Sequence, residues 1–496
     1  MKIKTDFSEN NSKIIIKKNY EKISEFYIKN EITEINAPYE KGGYGIDFCN
    51  GEDIICSRGF SVMEKWTENP FYGFLTDFGE KREDTENTAD YLTQYHINGI
   101  QYYDWMYDYG NLVFTDEDIY SDAWARKKEI SNKIIRKLIF SMHEKNIKSM
   151  AYVAIYAATP ELTEKNKDWI LYRKENEEYR IFDFCEKIHI VSNDEKSTWN
   201  RHLTEECKKT TDYGFDGIHL DQYGYPKENE SYFLDNGVYK EYDSPKGFKY
   251  FINNLKKELK RDIVFNYVDN WPEKIQKDTD TGFVYIEPWE CCNTYKDLYE
   301  MTFGVTRNTG KKLILAAYIK GGYSQSIKLA DAIIAVSKGK RTEIGETGKI
   351  LSGPYFPDAD KADEKLLSEI LNYYDYMAES EYFINMKKSS IKINAPYISQ
   401  TPDIGKIWYF VKENEKYYSI DLINLKNIVN DNWREEQKEP EEINDYNLEF
   451  DFIPEKVFIT DPFSSVRPLG SESYEIKDKK IIIKSLKYWL NIIIKK

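Results

Sequence analysis

No stretch of these 496 residues approaches the ~18 consecutive apolar side chains that a membrane-crossing helix needs. The opening MKIKTDFSENNSKIIIKK has no apolar run long enough for a signal-peptide core, so the chain as written reads as cytoplasmic. Positive charge is in deficit: 70 Lys and Arg stand against 85 Asp and Glu, a formal net charge of −15. Such a surface repels phosphate backbones and anionic lipid, which argues against nucleic acid or a membrane as partner. Metal-ligand spacing is missing too. The six cysteines (Cys49, Cys56, Cys185, Cys207, Cys291, Cys292) and five histidines are scattered, and no CxxC occurs. Adjacency disfavours a simple disulfide between Cys291 and Cys292. There is also no GxGxxG turn to hold a dinucleotide, so neither a metal nor an organic cofactor is expected.

What the chain has in excess is aromatic rings: 10 Trp, 41 Tyr and 25 Phe, 15% of all residues. Most of the tyrosines suit ordinary strands. Tyr and Trp also pair a flat apolar face with a polar tip, which suits the faces of sugars.

At ~150 residues per domain the length allows two to four domains. Residues 1–70 read as short strands, among them KIIIKK, SEFYIKN, GYGIDFC and DIICSRGF, separated by turns such as APYEKGGYG. An immunoglobulin-like β-sandwich is expected there. Residues 386–496 carry similar words (KIWYFVKE, KYYSIDLINL, KVFITDPF, KIIIKSLKYWLNIII) and predict a C-terminal antiparallel β-sandwich. The loop DNWREEQKEPEEIND is too charged to be buried.

Residues 71–385 alternate strand and helix. Strand words occur at 72–78, 99–105, 148–157, 217–224, 262–268, 282–289, 312–319 and 341–346. Helical patterns lie between them, including one over about 122–145. This eightfold repeat predicts an α/β fold, a (β/α)8 barrel flanked by the two sandwiches. The excursion 158–198 is too long for a plain βα loop and is expected to roof the barrel mouth.

Catalytic groups of such barrels stand at the C-terminal ends of the strands. Four strand words end on carboxylates: Asp104 in YYDW, Asp221 in HLDQYG, Glu287 in YIEPW and Glu343 in RTEIGE. A single one could cap a helix or join a loop ion pair, but four in one ring make that reading weaker. Rings flank them at Tyr102, Tyr103, Trp105, Tyr223, Tyr225, Tyr267 and Trp289. Carboxylates among aromatics, with no metal or cofactor motif, point to glycoside chemistry. There one carboxylic acid protonates the leaving oxygen while another carboxylate attacks or activates water.

The words NGIQYYDWMYDYG, GFDGIHLDQYG, VFNYVDNW, VYIEPWE, LAAYIKGG and RTEIGETGKILSGPYFPDADK resemble glycoside hydrolase family 66. The resemblance runs from GGYGIDF to the final SLKYWLNIII. That family comprises endo-dextranases and cycloisomaltooligosaccharide glucanotransferases. The resemblance implies a cofactor-free, retaining enzyme that cleaves α-1,6-glucosidic linkages of dextran or isomalto-oligosaccharides through a glycosyl-Asp intermediate. It makes Asp221 the nucleophile and Glu287 the acid/base. Glu290 is the rival in the same word, disfavoured because it opens the next helix or loop. Asp104, Tyr102, Trp105, His219, Gln222, Asn266, Trp289 and Glu343 are then the substrate-binding residues. Arg341 stands where the family typically has a His, so different sugar contacts are expected. The cyclising transferases carry an insert after the seventh strand, for which LAAYIKGGYSQSIKLADAII leaves no room. Hydrolysis is therefore preferred over cyclisation, and a non-catalytic sugar-binding relative is the third reading.

Overall fold

The computed structural model describes residues 2–4, 12–28, 32–224 and 231–496. Tyr225 lies outside them. The centre of the molecule is an eight-stranded parallel sheet in sequential order. Its strands are β1 (Tyr72–Leu75), β2 (Gly99–Tyr102), β3 (Lys148–Ala154), β4 (Gly217–Asp221), β5 (Asp262–Val268), β6 (Val284–Glu287), β7 (Leu313–Leu315) and β8 (Gly339–Arg341). The Phe74 amide donates to the carbonyl of Ile344, 3.4 Å away, and joins the first strand to the segment after the last. The sheet is thus a (β/α)8 barrel flanked by antiparallel sheets.

Short αβ connections and period-3.6 apolar stripes place helices around it. They are α1 (Thr85–Gln94), α2 (Asn132–Glu144), α3 (Thr198–Tyr213), α4 (Ser244–Leu259), α5 (Tyr295–Thr309), α6 (Ser324–Val336) and α7 (Glu364–Glu379). Three departures from the sequence pattern matter. The helix expected from about 122 starts at Asn132, because Ile119–Ser121 and Glu129–Ser131 pair as strands instead. After β5 a single 3-10 turn, Glu273–Ile275, stands where a helix is expected. The last strand starts two residues before RTEIGE and ends on its first residue, Arg341, so Glu343 falls beyond its end.

The excursion after β3 does not stay alone. Its hairpin Leu171–Glu175 and Glu178–Ile181 pairs with Ser231–Asp235 from the loop after β4, building a small sheet beside the mouth.

At the N-terminus, strands Ser12–Lys18, Glu21–Tyr27, Gly42–Asn50 and Asp53–Val62 form one antiparallel sheet lying on α7. The approach is close: a Cβ at Gly59 would sit 2.0 Å from the Asp375 carbonyl oxygen. Asp375 also accepts from the Gly59 amide (3.0 Å) and pairs with Arg58 (2.7 Å) and His96 (2.8 Å). The hydrogen bond with His96 and the charge of Arg58 hold its carboxyl below the usual range despite burial.

The C-terminal module stacks a sheet containing Ile407–Glu413, Tyr417–Asn424, Trp489–Lys495 and Lys456–Thr460 against the strands Ile443–Glu449, Lys480–Leu486 and Tyr474–Lys477. Ile420, Leu448, Ile459, Ile481 and Ile492 fill the space between them. The charged segment 431–445 keeps most of its charged side chains in solvent, as expected, but it is anchored inward at two points. Trp433 is fully buried in the barrel's own core cluster, and Gln437 is buried as well.

One buried ionic group lies between β8, α6 and α7. Arg341 donates to Asp331 (2.8 Å) and to Glu343, and all three side chains are inaccessible to solvent. Burial raises both carboxyls, while the guanidinium beside them opposes the rise. Arg341→Met should strand two buried carboxylates and cost about 3–5 kcal/mol. The expected readout is a clear fall in the urea midpoint; an unchanged midpoint would show that the triad contributes nothing net.

Candidate active site

Side chains alternate along each strand, and those pointing into the barrel form layers. Tyr72, Phe74, Met150, Val264, Tyr285 and Ile314 fill the interior below. One step higher on the same parity come Tyr152, Asp221, Asn266 and Glu287. The register sets Ala154 beside Asp221 and Val268 beside Glu287, with Asn266 on the strand between the two carboxylates. These groups line a cleft of about 250 Å³ at the C-terminal mouth.

Asn266 is the centre of the arrangement. Its Nδ2 donates to Asp221 Oδ1 at 2.8 Å and to Glu287 Oε2 at 2.6 Å. Those two oxygens can be no further apart than the two bonds laid end to end. That is within the ~5–5.5 Å of a direct-attack pair and short of the ~6.5–9.5 Å that leaves room for a water. Tyr152 donates to Asp221 Oδ2 at 2.6 Å. Glu287 Oε1 accepts from the Trp289 indole N–H at 2.7 Å and from the Tyr318 hydroxyl.

Burial lifts both carboxyls above their ordinary range. Asp221 is pushed up to about 6, with its hydrogen bonds opposing the rise. Glu287 is pushed up to about 7, and the charge of Asp221 adds to burial in its case. Both shifts favour keeping a proton in the pair, and the rise is greater at Glu287, where burial and the charge of Asp221 act together. Asp104 adopts a left-handed backbone (φ 53°) just past β2, and burial with the nearby Asp221 raises it to about 7. Such a conformation is costly for a non-glycine residue and recurs at functional sites. His219 holds the floor, with Nδ1 2.9 Å from the Tyr72 hydroxyl; burial lowers it to about 3, so it stays neutral. Gln222 spends its amide on the Trp271 carbonyl (3.1 Å) and the Gly224 amide (2.7 Å), which shapes the loop after β4.

Asp104, His219, Asp221, Gln222, Asn266, Glu287 and Trp289 thus meet in one cleft. Glu290 is exposed and is not among the lining residues. Three expected ligands stay outside. Tyr102 is one residue out of phase with the inward Gln101; its ring stacks on Phe78 at 5.7 Å and its hydroxyl meets Ser149 in the helix-facing layer. Trp105 is fully buried, donates to the Tyr152 carbonyl (3.1 Å) and packs on Phe215. Glu343 is consumed by Arg341, so Arg341 makes no cleft contact either. Tyr267 also faces outward, bonded to Thr279 at 2.7 Å.

Sequence reading missed Tyr152, Tyr156 and Tyr318, and also Trp124, Phe184 and Tyr355. Tyr152 shares inward parity with Met150 and could have been found by counting along β3. Trp124, Phe184 and Tyr355 come from long loops, where no periodicity signals direction. Phe184 belongs to the excursion after β3, which does reach over the mouth.

A parallel barrel whose mouth holds two close carboxylates among aromatic rings suits glycoside chemistry. The chain matches the model of Glycosyl hydrolase family 66 over residues 7–493, and it belongs to that family. Two curated relatives, both cycloisomaltooligosaccharide glucanotransferases of Niallia circulans, are 28% identical over 276 residues and 26% identical over 285 residues. These matches cover 52% and 53% of this chain but only 28% and 29% of the relatives' length. A solved cycloisomaltooligosaccharide glucanotransferase of Paenibacillus sp., complexed with cycloisomaltoheptaose, shares the fold with a TM-score of 0.84 at 18% identity. It covers 97% of this chain and 94% of that one. A maltogenic α-amylase of Thermotoga neapolitana is similar more distantly, with a TM-score of 0.54 at 11% identity over 86% and 99% of the two chains.

The two tryptophans beside the carboxylates should behave oppositely. Trp105→Ala empties a core position and should cost about 3–5 kcal/mol. Trp289 is 37% exposed, so Trp289→Ala should leave the melting temperature nearly unchanged. Equal losses in a thermal melt would contradict this placement.

Proposed function

We propose that the protein is a retaining hydrolase of α-1,6-glucosidic linkages in dextran or isomalto-oligosaccharides. The observation that carries the reading is the single amide of Asn266 shared by Asp221 and Glu287. A spacing this short suits a double displacement. Glu287, the group that keeps its proton, protonates the glycosidic oxygen as Asp221 attacks the anomeric carbon, giving a glycosyl ester and the free leaving sugar. Glu287, now a base, takes a proton from water as the water attacks the same carbon and releases Asp221. The tyrosine and tryptophan faces around the pair suit an uncharged sugar, which offers no charge for attraction at a distance. No cofactor enters these steps.

Transfer to a sugar hydroxyl in the second step is the second reading, and the names of the related transferases favour it. Residues 316–323 join β7 to α6 directly, without the insert expected of the cyclising enzymes. This favours water as the acceptor. Incubation with linear isomalto-oligosaccharides tests both: linear products of retained α-configuration by NMR support hydrolysis, and cyclic products by mass spectrometry support the transferase.

Variants should separate the roles. Asp221→Ala should abolish turnover of every substrate. Glu287→Ala should retain most activity on aryl glycosides with good leaving groups and should be rescued by azide; rescue of Glu290→Ala instead would reverse the assignment.

The pH profile of kcat/KM should be a narrow bell. Activity falls on the acid side as Asp221 is protonated and on the alkaline side as Glu287 loses its proton. Asn266→Ala removes a donor to both anions, so both limbs should move to higher pH, with a loss on the order of 10–100-fold. Unmoved limbs would show that the shared amide does not tune the pair.

A further inference from the structure

The segment after β6 carries Trp289, whose indole N–H is bonded to Glu287. Two residues from other parts of the chain grip its backbone. Asp269, just past β5, accepts through Oδ1 from the amides of Trp289 (2.7 Å), Glu290 (2.8 Å) and Cys291 (3.2 Å). Its own amide donates to the Glu287 carbonyl at 2.8 Å. From the opposite side Arg434, in the charged loop of the C-terminal module, takes the carbonyls. Its guanidinium donates to Cys292 O (2.6 Å), Asn293 Oδ1 (2.8 Å), Pro288 O (2.7 Å) and Trp289 O (3.0 Å).

That use of an arginine is unusual in its partners. No carboxylate lies within ion-pair distance of Arg434 among the described residues, and its fork is spent almost wholly on backbone oxygens of one short segment. The side chain lies over the buried Trp433 ring, with Cζ 3.9 Å from the ring centroid. Trp433 in turn donates to the Cys292 carbonyl at 3.2 Å. The loop is anchored further by the bridge between Thr294 and Asn432, by the Tyr295 amide on the Asp431 carbonyl (2.9 Å), and by Ser326 on the Glu435 carbonyl (2.6 Å). A planar fork fixed at both ends holds its acceptors to one geometry, which a flexible ammonium cannot do.

We propose that Arg434 is a positioning residue for the acid/base, acting through the segment 288–293 to hold the Trp289 indole on Glu287. The inference rests on the reading of Glu287 as acid/base. It assigns the C-terminal module a part in the chemistry, since a residue more than a hundred positions away sets a hydrogen bond on the proton donor. The titratable groups that face Glu287 are Asp221 from β4, Tyr103 after β2, Tyr156 after β3, Tyr318 after β7 and Tyr285 on its own strand. The Trp289 N–H favours the charged form of Glu287, so its loss raises the pKa of that carboxyl.

The test compares Arg434→Met, which removes the fork, with Trp289→Phe, which keeps a ring and removes the N–H. Each should lower kcat on isomaltotetraose roughly 10-fold with KM little changed. Each should leave p-nitrophenyl α-isomaltoside, whose leaving group needs little protonation, within about twofold. The alkaline limb of kcat should shift to higher pH in both. In the double variant the losses should not add, because both act through one hydrogen bond. Arg434→Lys, which keeps the charge without the fork, should behave like Arg434→Met and serves if that variant does not fold. Wild-type behaviour of Arg434→Lys would overturn the proposal. So would additive losses, an equal loss on both substrates, or a lowered melting temperature with an unmoved alkaline limb. An Asp221→Asn variant as active as the wild type would overturn the parent reading, and the positioning role with it.

Discussion

Two carboxylates in a cleft that excludes much of the water repel each other and lose solvation, and each effect favours protonation. The barrel makes that arrangement tenable by inserting one neutral donor between them. Asn266 occupies the strand between β4 and β6 and reaches both anions with one nitrogen. A lysine there would neutralise the pair and abolish the uneven sharing of a proton. A hydrophobic residue would leave the charges facing each other with nothing between. The remaining donors, Tyr152 on one side and Tyr318 with Trp289 on the other, complete the shells without adding charge.

Much of the surrounding structure follows from keeping that group fixed. The parallel register places Asp221, Asn266 and Glu287 on three adjacent strands with one inward parity, Glu287 a step above Asn266, and aromatic layers fill the barrel below them. The walls of the cleft come from parts of the chain that are far less regular: Trp124 and Phe184 on one side, Tyr355 and Phe356 on the other. Long βα loops are free to vary in this way because the barrel strands carry the precise geometry.

The flanking modules do more than cover the barrel. Arg467 of the C-terminal module donates to the Ser57 carbonyl (3.1 Å) of the N-terminal sheet and to Glu379 (3.3 Å) at the end of α7. Three parts of the chain therefore meet at one buried guanidinium. The charged loop 431–445 does the same at the catalytic end, where Trp433 and Arg434 reach the segment after β6. In both places an arginine fork satisfies backbone carbonyls that would otherwise be left without donors at a domain junction.

The sequence by itself determined the eight strand words, the flanking antiparallel modules and the carboxylates at the ends of the fourth and sixth strands. Strand periodicity and burial of apolar residues are local properties, so they are written in neighbouring residues. The same words identified Asn266 and Trp289. What only the tertiary structure decided is which side of the sheet each neighbouring ring faces. Tyr102 and Trp105 stand beside Asp104 in the chain, yet strand parity and the left-handed turn at Asp104 send them into the helix-facing layer. Glu343 reads as one more acid in the ring, but Arg341 two residues earlier closes on it in the core. Arg434 sits in a segment whose composition says solvent. Its partners are carbonyl oxygens about 140 residues away, and backbone acceptors carry no signature in the sequence that could announce them.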